Sequence, residues 1–204
     1  MKARRALGVL ALAALLVAAA GCDKLFSPPK TPFHGVDVTG LDVGSTLRLP
    51  DFDGRTRSLA DFRGKLVVVD FGYTQCPDVC PTTLHDYAEA MKKLGADASQ
   101  VQFLFVTVDP KRDTAKLLKE YVPAFDPRFL ALRGDAESTE RVTKDFKVYA
   151  QERPGKTPES YTVDHSSQVF VFDREGRLRL MIPAGTAPAD IASDLRVLLD
   201  MGSG

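Results

Sequence analysis

The stretch "FGYTQCPDVCPTT", residues 71–83, sets Cys76 and Cys80 four positions apart, each followed by a proline, directly behind an apolar run. Thiolate is the form of cysteine that binds metal or attacks a disulfide. Two thiols at this spacing fit a clamp for a soft ion, and a redox pair that closes to a disulfide remains open beside it. The pair is one residue wider than the Cys-x-x-Cys of thiol oxidoreductases. A bridge across so short a loop removes little chain entropy, so a purely structural disulfide explains it poorly. Pro81 would remove a backbone donor from a helix interior but suits the first helical position. The reading therefore puts Cys80 at a helix N-cap and Cys76 in the loop before it. Both then lie near the positive end of the helix, where thiolate is favoured.

Two cysteines alone make an incomplete metal site. Two soft thiolates select Cu(I) or Zn(II), and an added imidazole extends the choice to Cu(II). The chain has three histidines, His34, His85 and His165. His85 reads as an exposed or capping residue on the helix after Cys80, and His34 as a solvent-facing residue where the domain begins.

The elements that must position these groups follow from periodicity. "TLRLPDFDGRTRSLADFRGK" alternates apolar and polar residues around Asp53-Gly54, a hairpin signature. "KLVVVDFGY" and "VQFLFVTVD" read as buried central strands. Between them, Leu84, Tyr87, Ala88, Met91 and Leu94 recur at helical spacing, with Gly95 as C-cap. "TAKLLKEYV" reads as a helix, "FLALRG" as a short strand and "ESTERVTKDF" as a helix. "SQVFVFD", the turn Arg174-Glu175-Gly176 and "RLRLMI" form a second hairpin, and "APADIASDLRVLLD" is a closing helix. This alternation predicts an α/β sheet with parallel neighbours, in the element order of a thioredoxin-like domain. The cysteines then emerge at the carboxyl end of a central strand, where open α/β sheets place their sites. His165, in "YTVDHSSQVFVFD", precedes the terminal hairpin, where thioredoxin folds bring a cis-proline loop against the active cysteines. That placement makes it the candidate third ligand.

The N-terminus carries a basic start (Lys2, Arg4, Arg5) and an apolar and small-residue run from Ala6 to Ala20 that ends in Gly21-Cys22. It reads as a secretory signal over residues 1–21, short for a bilayer span of about 20 apolar residues. It resembles a lipoprotein signal cleaved before Cys22, whose thiol then carries the lipid, although Ala19 stands where that motif prefers Leu. An ordinary cleaved signal and an uncleaved anchor are the alternatives. Asp23 resembles an inner-membrane retention signal, which points to the periplasmic face of the inner membrane. Residues 22–33, rich in proline, read as a tether, and residues 34–200 as one domain. Lys plus Arg and Asp plus Glu are balanced at 27 each, so the chain has no electrostatic footprint for nucleic acid.

In this order and at these separations, "FGYTQCPDVCPTTL", "TVDPKRDT" and "YTVDHSSQVFVFDREGRLR" resemble the Sco/SenC family of copper-binding cytochrome oxidase assembly proteins, over about Phe33 to Leu199. The resemblance implies a thioredoxin-like fold with an inserted β-hairpin and an N-terminal hairpin extension. It also implies a membrane anchor and copper, Cu(I) or Cu(II), held by Cys76, Cys80 and His165. The implied partners are the CuA subunit of cytochrome c oxidase, other periplasmic copper chaperones and a thioredoxin-like reductant. Two functions compete: a copper chaperone, or a thiol-disulfide reductase in which Cys76 and Cys80 are catalytic and act on the CuA cysteines. A thiol peroxidase fits less well, because Val69 and Tyr73 stand where peroxiredoxins place Pro and Thr. In "TVDPKRDT", Asp109 and Arg112 are expected to shape the loop beside the site, or Asp109-Pro110 merely to turn the chain. Asp113 or Thr114 is expected to cap the next helix. The stretch "QERPGKTPES" reads as a loop, either one able to move His165 toward or away from the sulfurs or a merely solvated connection.

Overall fold

The computed structural model describes residues 31–157 and 160–201. The signal segment, the lipid attachment expected at Cys22 and nearly all of the tether lie outside the described residues. The folded unit begins at Pro32. Among the described residues no helix is long and apolar enough to cross a membrane.

A short strand β1 (Val36–Asp37) leads to a hairpin of β2 (Arg48–Pro50) and β3 (Thr56–Ser58), where sequence periodicity places one. Its turn is wound around the buried Asp51, whose carboxylate accepts the amides of Asp53 and Arg55 and the Arg57 Nε–H. Then come β4 (Leu66–Gly72), α1 (Val79–Leu94), β5 (Val101–Thr107), α2 (Ala115–Tyr121), β6 (Leu130–Leu132) and α3 (Ala136–Asp145). A second hairpin, β7 (Ala150–Arg153) with β8 (Thr162–His165), precedes β9 (Val169–Phe172), β10 (Leu178–Ile182) and the closing helix α4 (Pro188–Met201).

The main sheet has six strands in the order β1-β10-β9-β4-β5-β6. β4, β5 and β6 run parallel, and β9 joins β4 antiparallel. Every residue of β4 is buried, as a strand covered on both faces must be. One face packs Val68, Phe103 and Phe105 against Leu84, Tyr87 and Met91 of α1 and Leu195 and Leu198 of α4. The other packs Val67, Val69 and Phe71 against Phe146, Phe170 and Phe172. This α/β fold is the expected thioredoxin-like one, with its mixed sheet and two added hairpins.

One expectation needs correction here. Residues 151–153 are not loop but part of β7, in register with β8 through Ala150↔His165 and Glu152↔Val163. All four β7 residues are exposed, so the strand carries no apolar alternation that would announce it. His34 is exposed, as expected, but it is also tied to the fold. Its Nδ1 lies 2.9 Å from Asp194 Oδ1, and the amides of His34 and Gly35 both donate to that fully buried carboxylate. Asp194 thereby fixes the start of the domain to α4.

Candidate metal centre

The site forms where β4 ends and α1 begins. A Cβ on Gly72 would stand 2.9 Å from Cys80 Sγ and 2.8 Å from Phe105 Cε2, so only glycine lets the helix start settle onto the strand. The helix opens two residues earlier than expected. Asp78 is the N-cap, its carbonyl accepting from the Thr82 amide at 3.3 Å. Cys80 thus lies inside the first turn rather than at the cap, followed by Pro81, whose missing N–H would have had no intrahelical partner anyway. The Asp78 side chain makes no capping bond. Instead the Cys80 amide donates to Cys76 Sγ at 3.4 Å, so a sulfur from the preceding loop satisfies a helix-start amide. Cys76 does lie in that loop, as the proline argument predicts.

His165 is the last residue of β8, and the hairpin delivers its ring to the cysteines. Its Nε2 is 3.4 Å from Cys80 Sγ. The two sulfurs and one imidazole nitrogen all lie within 4.8 Å of one another, the one grouping of this kind among the described residues. Donors at about 2.0–2.3 Å from a single ion are separated by up to about 4.6 Å, so the three fit one ion with little closure. On the far side of the ring Nδ1 lies 2.9 Å from the Ser166 carbonyl. A carbonyl only accepts, so in the neutral ring Nδ1 carries the proton and the Nε2 lone pair faces the sulfurs. No cis peptide accompanies this placement among the described residues. His85 is exposed on α1, outside the grouping.

Both cysteines are free thiols, Cys76 half-buried and Cys80 buried, and their electrostatics differ. Cys76 is lowered to about 3, chiefly by the hydrogen bond from Cys80, then by His165 and by the Asp78 and Cys80 amides, against the opposing effect of burial. Cys80 is pushed up by its bond to the Cys76 sulfur and by burial. The pair therefore shares one thiolate, and it sits on Cys76. Burial alone would lower His165, but the Cys76 sulfur, the Ser166 carbonyl and the Asp70 charge outweigh it and raise the imidazole.

Several residues around the site carry no sequence signal of their role. Asp70, in the middle of β4, is buried with Oδ2 lacking a hydrogen-bond partner, and burial raises it to about 7. Its charge acts on Cys80 and His165. Tyr73 packs edge-on against the His165 ring with centroids 5.9 Å apart. Asp113 does not cap α2: Thr114 does, accepting from the Leu117 amide at 3.2 Å. Asp113 is instead fully buried and accepts the hydroxyls of Thr74 at 2.6 Å and Thr107 at 2.5 Å, together with the Thr74 amide. It ties the cysteine loop to the end of β5.

Known proteins resemble this chain in sequence and in fold. The description SCO1/SenC matches residues 38–200. A SCO2-like protein of Rickettsia prowazekii is 36% identical over 155 residues, covering 74% of this chain and 76% of that one. Among solved structures, Bradyrhizobium japonicum ScoI with copper bound is similar with a TM-score of 0.71 and 36% identity, over 77% of this chain and 99% of that chain. The structure in which a disulfide switch was identified in BsSco, a member of the Sco family of cytochrome c oxidase assembly proteins, is similar with a TM-score of 0.62 and 25% identity, over 81% and 98%.

Proposed function

The chain belongs to the SCO1/SenC family, and from that premise we propose that it is a periplasmic, membrane-tethered copper chaperone that helps assemble the CuA centre of cytochrome c oxidase. Cys76 and Cys80 hold Cu(I), and His165 joins them for Cu(II). The observation that carries this reading is the convergence of two sulfurs and one imidazole nitrogen within 4.8 Å. A thiolate pair alone suits Cu(I), whereas the mixed set suits Cu(II). Copper is cargo, passed to acceptor cysteines by exchange of one sulfur ligand at a time. Lipid on Cys22 would hold the domain at the inner membrane beside the CuA subunit, after loading by other periplasmic copper chaperones.

The same thiols support a second reading, favoured by the difference between them. The Cys76 thiolate is positioned to attack a disulfide of the acceptor, expelling one acceptor thiolate. Cys80, after losing its proton, then attacks Cys76 in the mixed disulfide and releases the second. The acceptor gains two electrons, the pair closes to a disulfide, and a thioredoxin-like reductant must reopen it.

One experiment separates the two readings. The reduced domain is titrated with Cu(I) and with Cu(II), then offered an oxidised CuA domain without metal. Tight binding of both ions with little reduction of the acceptor is expected. Weak copper binding with rapid acceptor reduction would overturn the chaperone reading. Absence of lipid on Cys22 in membrane-bound protein would remove the tether from it.

A further inference from the structure

The segment 107–114 is held to both halves of the site. Asp113 grips the cysteine loop through Thr74. A separate set of contacts grips the strand that carries His165. Arg112 Nε donates to Asp109 Oδ2 at 2.5 Å, and Arg112 Nη1 donates to the Tyr161 carbonyl at 2.7 Å. The guanidinium carbon lies 3.6 Å from the centroid of the Tyr161 ring and 5.7 Å from that of Tyr73. The Tyr161 hydroxyl returns to Asp109 Oδ1 at 2.8 Å. Asp109 is buried and the Arg112 side chain only 13% exposed, so these bonds are poorly screened by solvent. Two residues along β8, the Val163 amide donates to the Tyr73 hydroxyl at 3.3 Å.

Among the described residues the β7–β8 hairpin has no ladder to the main sheet. With no such ladder, the contacts that place His165 over the sulfurs are side-chain bonds of this kind. We propose that Arg112, with Asp109 and Tyr161, is the positioning group for His165, fixing the distance between the imidazole and the two cysteines. Arginine suits the task because its planar fork makes two directed bonds while its face stacks on an aromatic ring, and a lysine supplies only a point charge. The cysteine pair is independently held by β4, α1 and Asp113. The brace therefore governs the ion that needs the imidazole and is nearly irrelevant to the one that does not. This inference rests on the reading of His165 as a copper donor.

The test uses Arg112→Lys and Tyr161→Phe, which preserve charge and ring respectively, each also made in the His165→Ala background. Each single variant is expected to weaken Cu(II) about tenfold, the scale seen when groups orienting a ligand are lost, while Cu(I) affinity stays within about twofold. Amide hydrogen exchange of metal-free protein at Val163 and His165 should accelerate. In the His165→Ala background neither substitution should change Cu(II) affinity further. An equal Cu(II) loss in both backgrounds overturns the proposal, as does unchanged Cu(II) affinity in the single variants. A wild type without Cu(II) affinity would remove the copper reading itself, and the exchange measurement would still decide the brace: unaltered protection at Val163 and His165 refutes it.

Discussion

Replacing Cys76 or Cys80 by serine is expected to abolish tight copper binding while the domain still folds. Serine is nearly isosteric, but its hydroxyl stays protonated at neutral pH and is a hard donor, so one of two soft ligands is lost outright. A fall of at least about a thousandfold in affinity for either ion follows, roughly 4 kcal/mol. The folding cost differs between the two sites. Cys76 is half-buried in a loop, and a serine there can still accept the Cys80 amide. Cys80 is 1% exposed against Tyr73 and Val163, so its serine buries a hydroxyl at a cost of about 1–3 kcal/mol. Acid behaviour follows from the shifts. A thiol whose folded value is depressed keeps its thiolate from its ordinary value near 9 down to about 3, and loses that contribution only as pH falls through the lower value. Chelator competition with Cu(I) and Cu(II), alongside circular dichroism, checks the whole expectation. Near-normal Cu(II) affinity in either serine variant would reject a shared two-sulfur site.

The residues that make this site were legible in the sequence where chemistry and periodicity coincide. Cys76, Cys80 and Pro81 announce a loop and a helix start because proline tolerates so few positions. β4 and β5 announce themselves because strands covered on both faces must be continuously apolar. His165 could be placed only by its position ahead of the terminal hairpin and by resemblance. Its actual carrier, β8, pairs with a strand of four exposed residues, Ala150–Arg153, and polar residues leave no periodic trace. Of the two residues expected to cap α2, Thr114 does so, and the role of Asp113 escapes a local reading for a related reason. An acid just before a helix reads locally as a cap, whereas its real partners, Thr74 and Thr107, come from two other elements. Asp70 illustrates the same limit, since an acid within an apolar run looks like one polar interruption until the strand is seen to be buried on both sides. Contacts made across long sequence separations, such as Asp194 with His34 and Arg112 with Tyr161, are set by the fold and not by any local pattern.

The substitution that separates the two functions is His165→Ala. Cu(I) is satisfied by two thiolates, but Cu(II) prefers a larger set mixing nitrogen and sulfur, and the Nε2 lone pair is the nitrogen directed at the cysteines. Removing the ring should weaken Cu(II) about a hundredfold, close to 2.7 kcal/mol, with Cu(I) altered by no more than about threefold. The thiolate-to-copper absorption of the Cu(II) form should shift or vanish. Disulfide exchange should persist, because attack by Cys76 and resolution by Cys80 need no imidazole ligand. Loss of the ring also removes one of the groups that depress Cys76, so the attacking thiol should move upward in pKa while the hydrogen bond from Cys80, the larger influence, remains. The variant thus keeps its reducing chemistry and loses the complete metal site. Oxidase assembly measured in cells carrying it then reads which activity the cell depends on: failure of CuA assembly is expected if copper delivery is the task. Normal assembly with Cu(II) binding lost would transfer the role to thiol reduction, and an unchanged Cu(II) spectrum would take His165 out of the site altogether.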